Sequence, residues 1–433
     1  MSLKNYPLWH PCAQMHDYAS FTPITIKSAR GSYVYLQTGQ PLIDAYSSWW
    51  CKNLGHGHPR LLAALQQQSR EFEHVVLANA NNDYILQLSD ELTRLTKTLS
   101  KIMYASDGSS AVDMALKMSL QAQALAGRPQ KTQFISLSNS YHGDSIGALS
   151  VSDLGIYRQA YQALLFDTHF IHNLPYLQQR SQSLWQDCSE HWQQIEKQLQ
   201  PLAATAAAII IEPIIQGAGG MQIYSAALLT HLRNWCDANQ VYLIADEIFT
   251  GFGRSGVMLA CEYADIEPDF LCLGKGLTAG CLAMSAMLTT DEVYELFYAD
   301  YRSGKNFLHS HTFGGNALAT RVALETLSIM RDESVLNKAQ QLGVYMLQAM
   351  QNVNHNTGRL TNIRQLGAVV AADLVTAEER AGYKVYQRAT QLGALLRPLG
   401  NTLYWAPPLI TEAKVINELA AITQQAIMDK IRD

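Results

Sequence analysis

Residues 243–256, LIADEIFTGFGRSG, join an apolar run that reads as a buried strand to two adjacent acids, Asp246 and Glu247, and then to Gly251, Gly253 and Gly256 in the spacing G-x-G-x-x-G. That glycine pattern marks a dinucleotide-binding turn only where it opens the helix of a βαβ unit. Here the next residues, VMLACEYADIEPD, are broken by acids and Pro268 and do not run on as a clean helix. The glycines are therefore read as shaping a loop past a strand end, the edge at which open α/β sheets bind ligands.

Working outward from this stretch, short apolar runs alternate with helical patterns. AAAIIIEPI (206–214) is a continuous apolar run closed by proline, SAALLTHLRNWCDANQ (225–240) reads as a helix, and VYLIADEI (241–248) returns to strand. Continuous apolar runs without polar alternation belong to strands covered on both faces, as in parallel sheets. KIMYAS (101–106) feeds a helix over 108–127, TQFISLS (132–138) follows, and DFLCLGKGL (269–277) and MSAMLTT (284–290) add two strands before a helix over 316–330. From about residue 334 the texture changes to amphipathic helices, the strand-like RQLGAVVAADL (364–374) and a short YWAPPL (404–409). The expected organisation is an N-terminal segment 1–55 that joins a small domain, a large α/β domain over 56–330, and a small α+β domain over 331–433.

Bulk properties narrow the partners. The chain has 433 residues, 48% of them hydrophobic, and a net charge of −5 with both signs interspersed, which leaves no electrostatic footprint for nucleic acid or an anionic membrane. The expected ligand is a small molecule. Seven scattered cysteines form no C-x-x-C pair, a pattern expected of reduced thiols in a cytoplasmic protein without structural zinc. No secretory leader is read in MSLKNYPLWH, and no uncharged run of about twenty apolar residues exists to span a bilayer.

The chemistry gathers around Lys275, which stands between Gly274 and Gly276 directly after an apolar strand. A lysine in apolar surroundings loses solvation, so its amine becomes available for a Schiff base. That suits pyridoxal 5′-phosphate, which needs a lysine for its aldehyde, a carboxylate for its pyridine nitrogen, a flat group on its ring and amides for its phosphate. Asp246 ends a buried strand, where an unpaired carboxylate is costly and a pyridinium would satisfy it. Gly108 and Ser109 open a helix whose free N–H groups suit a phosphate. Tyr141, in NSYHGD, is an aromatic able to stack on the ring.

With these residues in this order, the chain resembles the fold-type I, class III pyridoxal-phosphate aminotransferases, and within them the diaminopelargonate-forming branch. The likeness is carried by WHP (9–11), SSWW (47–50), GHPR (57–60), YHGD (141–144), IIEPIIQGAGGM (210–221), LIADEIFTGFGRSG, CLGKGLTAG (272–280) and LRPLG (396–400). It implies a mostly parallel seven-stranded sheet in the large domain, and transfer of the amino group of S-adenosylmethionine to 8-amino-7-oxononanoate. By resemblance Lys275 is the Schiff-base lysine and proton carrier, Asp246 the partner of the pyridine nitrogen, and Tyr141 a stacking and substrate-facing residue. Gly108 and Ser109 form the phosphate cradle, and Gln216 neighbours the ring hydroxyl. Thr312 matches a phosphate-binding threonine supplied by the partner subunit, which implies a homodimer with shared active sites. Trp49 matches a substrate-contacting tryptophan and Arg397 the arginine that holds the keto-acid's distal carboxylate. Ser310 falls among the substrate-facing positions and His311 beside the phosphate. Two departures stand out: Cys12 replaces the tyrosine of WHPY, and HSHTF (309–313) replaces HGPTF. The first keeps open a broader ω-amino acid or diamine aminotransferase that uses another amino donor.

Overall fold

The computed structural model describes residues 7–431; of the expected terminal regions, residues 1–6 and 432–433 lie outside the described residues. The centre is a seven-stranded sheet built from β1 (Leu99–Ala105), β2 (Gln133–Leu137), β3 (Thr168–Ile171), β4 (Ala206–Ile211), β5 (Tyr242–Asp246), β6 (Phe270–Leu273) and β7 (Ser285–Thr290). Their order is β1-β7-β6-β5-β4-β2-β3. β7 runs antiparallel to both neighbours, β6 and β1, and the remaining pairings are parallel. The sheet is thus mostly parallel, as the class III resemblance implies. β4 and β6 are buried along their whole length, the reason they read as unbroken apolar runs.

Helices α1 (Gly108–Leu125) and α2 (Ala226–Asn239) follow β1 and precede β5, and Asp107 caps α1 by accepting from Ser110 N at 3.0 Å. A third helix, α3 (Ala317–Asp332), is capped by Asn316, whose side chain accepts from Ala319 N at 3.1 Å. Such caps satisfy N–H groups that no preceding carbonyl can reach. Near the N-terminus the strands Ile26–Arg30, Tyr33–Leu36 and Pro41–Asp44 form a separate sheet, and its fourth strand is Ala394–Leu395, parallel to Pro41–Asp44. The run 364–374, expected as one strand, is the end of one strand and the whole of a second: Leu360–Leu366 and Val369–Leu374 pair antiparallel. Gly367 makes the turn at φ +50°, and a Cβ there would lie 2.1 Å from the Ser255 carbonyl carbon, so only glycine fits.

Between the two sheets lies a backbone feature that the sequence does not announce. Ser47, Ser48, Trp49 and Trp50 take φ values of 52°, 46°, 74° and 69°, a left-handed turn made without glycine. Each such residue costs about 1–2 kcal/mol in local sterics, so surrounding contacts must hold it. Ser48 N and Oγ donate to Asp44 at 2.9 and 2.7 Å, and His56 pairs with the same carboxylate at 2.8 Å. Ser47 Oγ donates to the Ala406 carbonyl at 2.7 Å, and Trp50 Nε1 to the Tyr404 hydroxyl at 3.0 Å.

Candidate active site

The carboxyl ends of β5 and β6 meet at the site. Asp246 and Cys272 are register partners across these strands, which brings the carboxylate that ends β5 close to Lys275, three residues past Cys272. Asp246 is buried, accepts from Ile248 N at 3.1 Å on one oxygen and contacts His142 Nδ1 at 2.8 Å on the other. His142 Nε2 in turn lies 3.5 Å from Ser136 Oγ, and its backbone N–H donates to Ser152 Oγ at 2.9 Å. A buried carboxylate held this way keeps lone pairs free for one more donor.

Lys275 adopts φ +40°, strained for a residue with a Cβ. Its Nζ stands 5.2 Å from the centroid of the Trp50 ring, and Trp50 meets Phe249 at a 55° tilt with centroids 4.8 Å apart. Burial lowers the lysine below its ordinary range, while Asp246, Glu212 and Cys51 pull the other way. The balance favours a neutral amine more than in water. Glu212, buried at the end of β4, accepts from Tyr141 N at 3.0 Å and Gly217 N at 2.9 Å. Burial pushes its carboxyl up to about 7, with His142 opposing and Asp246 adding.

The other expected positions divide into three sets. Gly108 and Ser109 are the first residues of α1, where N–H groups have no carbonyl one turn back. A Cβ on Gly108 would meet Ile248 Cδ1 at 2.9 Å, so glycine lets this helix end approach the β5 loop. Tyr141, Trp49 and Arg397 make two ring contacts: the Arg397 guanidinium covers the Trp49 ring at 3.8 Å, and Tyr141 faces Tyr157 with ring centroids 5.6 Å apart. Among the described residues Arg397 pairs with no acid, leaving its fork available to a carboxylate. Cys12 is exposed and close enough to the phenols of Tyr141 and Tyr157 to influence both.

Gln216 is fully buried; its Oε1 accepts from Tyr176 at 2.6 Å and its Nε2 donates to the Ser138 carbonyl at 2.8 Å. Ser310 and Thr312 are exposed on a loop that also exposes Leu308 and Phe313; the Thr312 carbonyl contacts His74 Nε2 at 2.7 Å. His311 Nε2 lies 3.0 Å from His309 Nε2 and near enough to Asp107 to favour its charged form. Four residues of the site escaped the sequence reading. Glu212 carried a signal, being an acid inside an apolar run; His142 carried a weaker one as the neighbour of Tyr141, and Trp50 as the second tryptophan of SSWW. Tyr157 carried none.

The donor set fits pyridoxal phosphate: an amine of lowered basicity, a buried carboxylate with spare lone pairs, a tight helix N-terminus and aromatic walls. Comparison with known proteins agrees. The model of the family "Aminotransferase class-III" matches residues 14–427. The adenosylmethionine-8-amino-7-oxononanoate aminotransferase of Helicobacter pylori is 39% identical over 98% of this chain and 96% of its own. The crystal structure of the enzyme of that name from Methanocaldococcus jannaschii superposes with a TM-score of 0.92 at 31% identity, covering 98% of both chains. A PLP-bound amine transaminase from an uncultivated Pseudomonas species gives 0.90 at 28% identity, over 98% of this chain and 99% of its own. Sheet, lysine, aspartate and likeness along nearly the whole length converge: the chain belongs to the class III aminotransferases, enzymes dependent on pyridoxal phosphate.

Proposed function

We propose that this protein transfers the amino group of S-adenosylmethionine to 8-amino-7-oxononanoate, giving 7,8-diaminononanoate, in two half-reactions at one site. The observation that carries this reading is Arg397, stacked on Trp49 and unpaired with any acid among the described residues, in a chain whose Lys275 has lowered basicity. Substrates that carry both an amine or ketone and a carboxylate are matched by such a pair. The reading is supported by relatives of that name at 28–39% identity along nearly the whole chain.

Pyridoxal phosphate, when bound, supplies an aldehyde that condenses with amines and a protonated ring that draws electrons away from the carbon losing its proton. The protein's own groups do the rest. Asp246, fixed by His142, would hold a proton on the ring nitrogen as a charge-assisted hydrogen bond. Gly108 and Ser109 offer N–H groups and the positive end of α1 to the phosphate. Tyr141 would offer its aromatic face to the ring. Lys275 would hold the group through its amine and move the proton at the reacting substrate carbon; a neutral amine is the form able to do so. Arg397 orients the acceptor by its carboxylate, bidentate where lysine would be a point charge, and Trp49 fixes the guanidinium plane.

The exposed loop carrying Ser310, His311 and Thr312 and its apolar neighbours Leu308 and Phe313 suit a second copy of the chain, with Thr312 reaching the partner's phosphate site in a homodimer. The division at residues 55 and 330 and a cytoplasmic location belong to the same reading; no helix among the described residues is long and apolar enough to cross a membrane. Cys12 keeps one alternative in view, a broader ω-amino acid or diamine aminotransferase. Feeding S-adenosylmethionine, lysine and simple diamines separately to the cofactor-loaded enzyme decides between them. Amino transfer from S-adenosylmethionine is expected, and its absence alongside reaction with a diamine would reject the proposal. Lys275→Ala should abolish transfer from every donor.

A further inference from the structure

Tyr157 lies on the short helical turn Gly155–Arg158, after the YHGD loop. The turn is pinned by Tyr157 N donating to the Leu154 carbonyl at 2.9 Å, and by Arg158, which donates to the Ser152 carbonyl at 2.8 Å and covers Phe170 at 4.9 Å. The Tyr157 ring is tilted 52° to that of Tyr141 at a centroid distance of 5.6 Å, so the two phenols make one aromatic wall. Both rings are only partly buried. The neighbour shared by the two phenols is Cys12, an exposed thiol on a left-handed backbone at φ 51°. A thiol fills far less volume than a ring, and both phenols keep part of their surface exposed. On the other side stands Arg397, close to Tyr157 and stacked on Trp49.

Resting on the reading of the donor as S-adenosylmethionine, we infer that Tyr157 determines donor specificity: its ring face, left open by the small Cys12, stacks the flat purine of a nucleoside donor. Aromatic faces accept any base, and the adjacent sulfonium charge gains from the same π-surface. The acceptor, an aliphatic chain with one carboxylate, has no flat group to stack and depends on Arg397 instead. The two half-reactions therefore draw on Tyr157 unequally.

The test measures each half-reaction separately, by the change in cofactor absorbance, in cofactor-loaded wild type, Tyr157→Ala, Tyr157→Leu and Tyr157→Phe. Tyr157→Leu keeps apolar bulk should alanine disturb the turn. The expected result is a loss of about tenfold or more in kcat/KM for S-adenosylmethionine in the Ala and Leu variants. In the same variants the acceptor half-reaction stays within twofold, and Tyr157→Phe stays near wild type throughout. Equal losses in both half-reactions, a loss of the same size in Tyr157→Phe, or an unimpaired donor reaction in both Tyr157→Ala and Tyr157→Leu would overturn the inference alone. A wild type inert with S-adenosylmethionine yet active with another amine would overturn the donor reading, and this inference with it.

Discussion

His142 Nδ1 stands 2.8 Å from Asp246 Oδ2 across 104 residues of sequence, with both side chains closed off from solvent. The carboxylate at the end of β5 is therefore aimed by a neighbour which is itself held by Ser136 and Ser152. His142→Leu should leave the fold and the bound cofactor in place. It should lower kcat about ten- to a hundredfold, as expected for a lost hydrogen bond to a charged group worth about 1.5–3 kcal/mol. Steady-state kinetics beside cofactor absorbance checks it; a KM effect without a kcat effect would contradict the positioning role.

Arg397→Lys keeps the charge and loses both the planar fork and the stack on Trp49. KM for the keto-acid acceptor should rise at least tenfold, about 1.4 kcal/mol or more, while Tyr141 and Lys275 keep their environment. An acceptor titration at saturating donor reads this directly.

Arg254 is fully buried and pairs with no acid among the described residues. It donates to the carbonyls of Ala368 and Pro407 at 3.2 and 2.8 Å, to Ser47 Oγ at 3.1 Å and to Asn53 Oδ1 at 3.2 Å. Burial lowers its pKa to about 10. Arg254→Met strips these acceptors of their donor, and denaturant unfolding should report a loss on the order of 3 kcal/mol. The left-handed turn at Ser47 should loosen with it, seen as increased protease cleavage around residues 47–50.

Glu247 accepts from Thr250 Oγ1 and, at 2.9 Å, from Cys261 N. Burial raises its carboxyl from 4.5 to about 7. The folded protein then holds a proton between these values that the unfolded chain has released. Stability from this group is complete below about pH 4.5 and declines as pH rises through about 7. Glu247→Gln removes the decline, so between pH 4.5 and 8 the variant should gain on wild type by up to about 3 kcal/mol in unfolding free energy. Glu212 titrates in the same direction, so a smaller decline remains in the variant.

The central sheet is legible because strands buried on both faces need apolar residues at every position, and AAAIII and FLCL have them. β3 went unread because THFI, an edge strand, lacks that signature. Asp246 and Lys275 are legible for the converse reason: a charge at the end of an apolar run demands a partner. What the sequence hides is what folding brings together over long separations. Nothing local marks His142 as the neighbour of Asp246, or Tyr157 as the neighbour of Cys12. Gln216 looks available in sequence as a carboxamide in a glycine-rich loop, and the fold engages both its ends with Tyr176 and Ser138. The SSWW turn is invisible to propensity, since no glycine advertises its positive φ values.

The anchors of that turn have a consequence for how the protein is made. Ser47 is bonded to Ala406, 359 residues later, and Pro41–Asp44 pairs with Ala394–Leu395. A ribosome has thus completed β1 to β7, Asp246 and Lys275 long before it emits the residues that set Trp49 and Trp50 in place. A nascent chain stalled short of residue 394 can assemble the sheet and its lysine, but not the tryptophan wall. The tryptophan turn is among the last parts of the growing polypeptide to gain its anchors.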